Sequence, residues 1–197
     1  MDVFSIALSL FILMDSFGNV PIFVAVLKRS TPREQTKIIF RELCIALALI
    51  LIFFFVGNDV LNLLHIAPCA VPIAGGIILF MIAIKMIFPT KKDSAETESL
   101  VKDPLIVPLA VPLVAGPAVL AAVMIYARQI QSLWVPLWGI LLAWLGTTVV
   151  LMSASLLKQL LGERGLTACE RLMGLLLTLL SVQMFLQGLT LYNNGNC

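Results

Sequence analysis

A polar stretch in the middle of the first long apolar run is the part of this sequence best suited to chemistry. Asp15 and Asn19 lie four residues apart within the run 3–27, and Gly18 and Pro21 are interleaved with them. If the run crosses a bilayer, an ionised aspartate at that depth costs at least ~2.5 kcal/mol, so it normally faces a cavity or a partner. The asparagine adds one acceptor and two donors. The stretch therefore predicts a polar site within a membrane.

The same stretch carries residues that break helices, and a later run carries more of them. Pro21 lacks a backbone N–H and leaves the carbonyl of Phe17 without its usual partner, while Gly18 loosens the helix. The run 104–118 contains four prolines and Gly116, and each interior proline costs about 3 kcal/mol in a plain helix. Irregular backbone at membrane depth is tolerated only where protein or a watery cavity satisfies it. We therefore expect broken helices in the first and fourth spans.

Composition assigns the chain to the all-α integral membrane proteins. Of its 197 residues 60% are hydrophobic and 12% charged, with a mean hydropathy of +1.05, whereas a soluble domain carries about 25% charged residues. A spanning helix needs about 20 apolar residues. The runs lack the two-residue alternation of an outer-membrane barrel. Residues 1–197 are thus expected to form a single transmembrane domain of six helices, at roughly 3–27, 38–57, 66–88, 104–127, 133–157 and 172–191.

The positions of the basic residues predict the orientation of these spans. All but one of the thirteen Lys and Arg residues fall at the joins of spans one and two, three and four, or five and six. The exception is Arg128. Because basic loops stay on the cytoplasmic side, both termini are expected to be periplasmic. The net charge of +2 gives no reason to expect a nucleic-acid partner.

The two halves of the chain are related by a constant offset of 98 residues. This offset aligns Gly76 with Gly174, Met86 with Met184, and Gly18 with Gly116. It divides the chain into repeat 1 (about 1–88), a polar linker (about 89–103) and repeat 2 (about 104–197). Because each half has three spans, the second copy must be inverted. Inverted repeats with broken helices at matching positions are the architecture of many secondary transporters, which bind substrate near the midplane.

Two helix breaks that meet near the midplane would suit a zwitterionic ligand. The N-termini of half-helices present N–H groups to a carboxylate, while unwound carbonyls and the Asp15 carboxylate suit an ammonium group, a cation or a coupling proton. Gly18 and Gly116 would allow close approach of the backbone. The prolines would hold the breaks open. The expected substrate-binding residues are Asp15, Ser16, Gly18, Asn19, Pro21, Pro112, Gly116 and Pro117.

Two motifs in the sequence are similar to those of a known family. Asp15-x-x-Gly18-Asn19-x-Pro21-x-Phe23 in span one and Pro112-Leu113-x-x-Gly116-Pro117 in span four resemble the MarC family of six-span bacterial inner-membrane proteins. The similarity covers nearly the whole chain. It implies a bacterial inner-membrane location and a transporter, because the family is grouped with neutral amino-acid transporters and some members look like exporters of alanine or glycine.

Several other functions compete with an exporter of small neutral amino acids. A flippase for lipid or polyprenyl phosphate would use the same helix termini, and a channel would more naturally show rings of polar residues. An enzyme would need a second mid-span carboxylate, a Ser/His pair or metal ligands, and the lone His65 and four cysteines without metal-ligand spacing do not supply them. We therefore expect no catalytic residues, no metal and no cofactor. A homo-oligomer is compatible with so small a membrane body.

Overall fold

Helices make up almost all of the computed structural model, which describes residues 2–27, 32–89, 114–129 and 132–193. Five segments of this described chain are long and apolar enough to cross a membrane, α1 and α2 together forming the first, and α5 is a shorter apolar helix. The all-helical membrane class is therefore confirmed. The helices are α1 (Val3–Leu13), α2 (Ser16–Leu27), α3 (Pro32–Leu63), α4 (Ala70–Ile87), α5 (Pro117–Gln129), α6 (Trp134–Met152) and α7 (Ala154–Asn193).

The first span is broken, but earlier than the sequence suggests. Helix α1 ends at Leu13 and α2 begins at Ser16, and Asp15 between them has a φ of 47°. Gly18 and Pro21 were expected to form the break, and both lie inside α2, so that prediction is wrong in position. Aspartate tolerates the left-handed conformation because its short side chain can bond to the local backbone, which allows the turn to form at Asp15.

The start of α5 agrees with a break in the fourth span. Gly116 lies outside any helix and α5 begins at Pro117. A proline at the first helical position loses nothing, because its missing N–H would have had no partner there. Pro112 and the predicted linker beyond residue 89 lie outside the described residues.

The second span continues further than predicted. Helix α3 runs from Pro32 to Leu63, six residues beyond the end expected at residue 57. Asn58 and Asn62 are one helical turn apart, and the Arg128 guanidinium donates to both, at 2.7 Å from Nε to Asn58 Oδ1 and 3.4 Å from Nη2 to Asn62 Oδ1. Asn58 and Asn62 thus bind α5 through side chains that project from a helix.

The boundary between the last two spans also differs from the prediction. Helix α6 ends at Met152 instead of residue 157, and Ser153 separates it from α7. Within α7, Gly162 has a φ of 65° and kinks the helix. The apolar part of α7 that could cross the membrane begins at Arg164, not at residue 172.

Helices α4 and α7 pack lengthwise through two glycines. A Cβ on Gly76 would lie 2.8 Å from the carbonyl oxygen of Ser181 and 3.0 Å from the nitrogen of Phe185. A Cβ on Gly174 would lie 3.2 Å from the carbonyl oxygen of Ala83. Small residues at such crossings let helices in a membrane approach closely. Elsewhere α1 packs against α6, α2 against α7, and α5 against both α3 and α4.

The α4–α7 contact makes a direct prediction. Gly76→Ala places a methyl group against the backbone of α7, which cannot move as a side-chain end could, and we expect a loss of about 1–3 kcal/mol from overpacking. The remaining folded fraction after heating in detergent measures it. Ile82→Ala, on the exposed face of α4, is the matched control. A Gly76→Ala protein as heat-resistant as the control would contradict this packing.

Candidate functional site

Asp15 caps the helix that follows it. Its Oδ1 accepts a hydrogen bond from the backbone N–H of Gly18 at 3.3 Å, and its carbonyl accepts one from the N–H of Asn19 at 3.0 Å. An aspartate bonded to the N–H three residues later is a preferred N-cap. Asp15 therefore has a structural role at the start of α2 in addition to any ligand-binding role.

Asn19 supplies the second side-chain hydrogen bond to the backbone at the break. In a continuous helix the N–H of Gly18 would donate to the carbonyl of Met14. Here that N–H bonds to Asp15, and the Met14 carbonyl accepts a hydrogen bond from Nδ2 of Asn19 at 3.1 Å. The two polar side chains thus replace the backbone bond that the break removes. Unsatisfied backbone groups cost several kcal/mol in a bilayer, so both side chains stabilise the interruption.

Gly18 leaves the space that the Asp15 carboxylate occupies. A Cβ at this position would collide with both carboxylate oxygens of Asp15 and with the methyl group of Met86 on α4. Met86 also lies against α7: a Cβ added to Gly174 of α7 would be 3.2 Å from the Cβ of Met86. Met86 therefore fills the space between the start of α2 and α7.

Two hydroxyl groups tie the break to α6. The Ser16 hydroxyl donates to Oγ1 of Thr147 at 2.8 Å, and Thr147 Oγ1 donates to the sulfur of Met14 at 3.4 Å. Thr147 is fully buried. It was absent from the predicted site, and the only signal in the sequence was a pair of threonines in an otherwise apolar span.

The carboxylate of Asp15 is buried without a cation partner in the described part of the chain. Asp15 is only 9% exposed. It takes no part in the salt bridge seen among the described residues, which joins Arg41 to Glu42 at 2.9 Å. Burial has the largest electrostatic effect on Asp15. Glu170 on α7, half-buried beside Arg171, adds a smaller one. Two negative charges repel each other, and a proton or a cation would relieve that repulsion. Glu170 could not be predicted as part of the site, because its effect on Asp15 arises from the packing of α2 against α7.

The structure gathers part of the predicted site and leaves part of it elsewhere. Asp15, Ser16, Gly18 and Asn19 form one polar cluster at the break. Pro21 lies farther along α2, and Pro112 lies outside the described residues. Gly116 and Pro117 stand at the start of α5, whose described packing is mainly with α3 and α4.

Comparison with known proteins identifies the relatives of this chain. A family model described as "MarC family integral membrane protein" matches residues 1–192. The chain belongs to the MarC family. An Escherichia coli K12 protein named "UPF0056 inner membrane protein YhgN" is 46% identical, with 98% of this chain and 99% of the relative aligned.

More distant MarC-family relatives also align over nearly their whole length. A "UPF0056 membrane protein" of Buchnera aphidicola subsp. Baizongia pistaciae is 44% identical, over 95% of this chain and 96% of the relative. A "UPF0056 membrane protein" of Chlamydia pneumoniae is 34% identical, over 96% and 95%. No solved structure matches. The resemblance that rests on Asp15, Gly18, Asn19 and Pro21 is therefore confirmed, and Asp15 and Asn19 of this motif make the hydrogen bonds at the helix break.

The capping role of Asp15 predicts different effects for two substitutions. Asparagine is as good an N-cap as aspartate, whereas alanine costs about 0.5–2 kcal/mol. We therefore expect Asp15→Asn to keep the unfolding temperature in detergent and Asp15→Ala to lower it. Equal destabilisation by both variants would show that the charge, not the cap, holds the break.

The link between the Ser16 and Thr147 hydroxyl groups can be tested with a matched neighbour. Thr147→Val leaves the Ser16 hydroxyl buried without its acceptor, at a cost of about 1–3 kcal/mol. Thr148→Val should cost less, because the Thr148 hydroxyl bonds only to the Trp144 carbonyl of its own helix. Adding Ser16→Ala to Thr147→Val should restore part of the stability. Strictly additive losses would argue against the link.

Proposed function

We propose that this MarC-family member is a secondary transporter of the bacterial inner membrane that exports small neutral amino acids or similar zwitterionic solutes by alternating access. The observation that carries the proposal is the Asp15 carboxylate, buried at a helix break and without a cation partner among the described residues. An acid inside a membrane segment is a functional-site hypothesis by default, and broken helices commonly frame such sites in transporters.

The charge around Asp15 favours a ligand that brings a positive group. Helix α2 packs against α7, and Glu170 on α7 adds a small repulsive effect to the cost of burying the Asp15 carboxylate. A substrate ammonium group, a coupling cation or a proton would each relieve this repulsion. The cluster is closed, since Ser16 and Asn19 are 1% and 4% exposed. Substrate access would therefore require movement of the helices around the break.

The packing of the helices supports two inverted three-helix repeats. Helix α4 packs on α7, and the pair α2–α6 corresponds to the pair α5–α3 when the halves are exchanged. The pair α2–α7 likewise corresponds to α5–α4. The glycine contacts repeat at the same offset of 98: Gly76 meets Ser181 and Phe185, and Gly174 meets Ala83 and Ile87. An approximate two-fold relation accounts for all of these correspondences, and rocking of one half on the other would alternate access.

Location and orientation complete the proposal. The Escherichia coli relative is named an inner membrane protein, and basic residues at three joins favour both termini in the periplasm. The drive would come from a coupling proton or cation, because the sequence has no nucleotide-binding loop. No catalytic step is proposed.

Counter-flow in proteoliposomes tests the function. Vesicles loaded with alanine, glycine or serine should accumulate the labelled solute, and labelled polyprenyl phosphate should stay in its leaflet. Movement of the lipid without solute exchange would favour the alternative, a lipid or polyprenyl-phosphate flippase. Rapid solute flow that does not depend on an opposing gradient would favour a channel. Either result would overturn the proposal.

Asp15→Asn separates the role of the charge from the role of the cap. The variant keeps the cap but loses a charged contact worth roughly 1.5–3 kcal/mol, so the exchange rate should fall about tenfold or more. Asp59→Asn, at the exposed end of α3, is the control and should exchange normally. Native exchange by a folded Asp15→Asn protein would rule out this role for Asp15.

A further inference from the structure

We propose that a second solute-binding site, the α7 chamber, lies between α1, α5 and α7, and that it takes small polar solutes without net charge. The inference rests on the proposed transport function and adds a second binding site to the proposed transport path. The chamber is a cavity of about 460 Å³, within the range of about 300–1,000 Å³ typical of small-molecule sites. Its walls come from the first half of the chain through α1 and from the second half through α5 and α7.

The α7 chamber lies immediately beside the helix break, toward the end of the bundle where α1 begins and α7 ends. Leu13, the last residue of α1, lines the cavity together with Met184. Met14 and Asp15 follow Leu13 directly in the chain. Both Leu13 and Met184 are largely buried, at 8% and 7% exposed. A solute that moves between the chamber and Asp15 would therefore pass this apolar pair.

The walls of the chamber carry hydrogen-bonding groups but no charge. Gln183 and Gln187 lie one turn apart on the same face of α7, and Tyr126 and Ser9 lie next to each other across it. No hydrogen bond joins either glutamine amide to another described residue. Each amide offers one acceptor and two donors, and each hydroxyl group offers both. Such a lining can bind the carboxylate and the ammonium of one zwitterion, but it has no charge to balance a solute with a net charge.

The same lining argues against an acyl chain as the occupant. Gln183 is exposed and Gln187 is partly exposed on the protein surface. Amide groups that face lipid without hydrogen bonds cost free energy, and an acyl chain offers neither donors nor acceptors. By contrast, the groove beside Phe80 and Phe185 is lined almost entirely by apolar side chains, as expected for a surface covered by lipid. The two glutamines are therefore best explained by water and a polar solute.

Thiol labelling in lipid nanodiscs tests the α7 chamber. The background carries Cys44→Ser and Cys169→Ser, because these are the free thiols of the described residues and Cys69 is held in a disulfide. Gln187→Cys reports on the chamber, and Leu189→Cys, on the exposed face of the same turn, is the matched control. Thr190→Cys, which also lines the cavity, replaces Gln187→Cys if that variant does not fold.

Because thiolates form poorly in apolar surroundings, a water-soluble maleimide should label Gln187→Cys about tenfold faster than Leu189→Cys. Millimolar alanine, glycine or serine should slow labelling at residue 187 several-fold, and lysine or aspartate should not. Labelling no faster than the control, or no protection by any of the three neutral amino acids, would overturn the proposal that the α7 chamber binds solute.

Counter-flow measured on the same background separates the two proposals. Protection at residue 187 without any counter-flow would support the chamber and reject the transporter. Normal counter-flow of alanine without protection at residue 187 would support the transporter and reject the chamber.

Discussion

The first span can be interrupted inside a membrane because the Asp15 and Asn19 side chains make hydrogen bonds to the backbone at the break. A bilayer offers no water to an interrupted helix, so every N–H and carbonyl released by the break needs a partner within the protein. Asp15 takes the N–H of Gly18 and Asn19 takes the carbonyl of Met14. The acid that is costly to place in the membrane is thus also the group that permits the break, and a lipid-facing position for it is excluded.

Neighbouring helices are shaped around this break. Gly18 must lack a side chain because the Asp15 carboxylate and Met86 occupy the space. The hydroxyl group of Thr147 anchors Ser16 to α6, and the close packing of α4 and α7 brings Met86 to the start of α2. The polar cluster is therefore held by contacts with α4 and α6. Burial has the largest electrostatic effect on Asp15, and Glu170 of α7 adds a smaller repulsive one.

Hydropathy was enough to predict the membrane class, the approximate spans and the polar stretch at Asp15. It could not locate the break, because propensity favours Gly18 and Pro21, whereas the turn forms where an aspartate can cap the next helix. The end of α3 could not be predicted for a similar reason. Asn58 and Asn62 are residue types typical of loops, but in the fold they are helical and accept hydrogen bonds from Arg128 of α5. Thr147 and Glu170 are distant from Asp15 in sequence, and only tertiary packing brings them near it.

Asp15 has two roles in this account: it caps α2, and it carries the charge that the proposed transport function uses. Both roles depend on the left-handed turn at this residue. Solid-state NMR of the protein in lipid bilayers, with Met14, Asp15 and Ser16 labelled, measures that turn directly. A positive φ at Asp15, near the 47° of this structure, is expected, with the Asp15 carboxylate close to the amide of Gly18. A negative, helical φ at Asp15 with an unbroken helix from Leu13 to Ser16 would contradict the break and the site built on it.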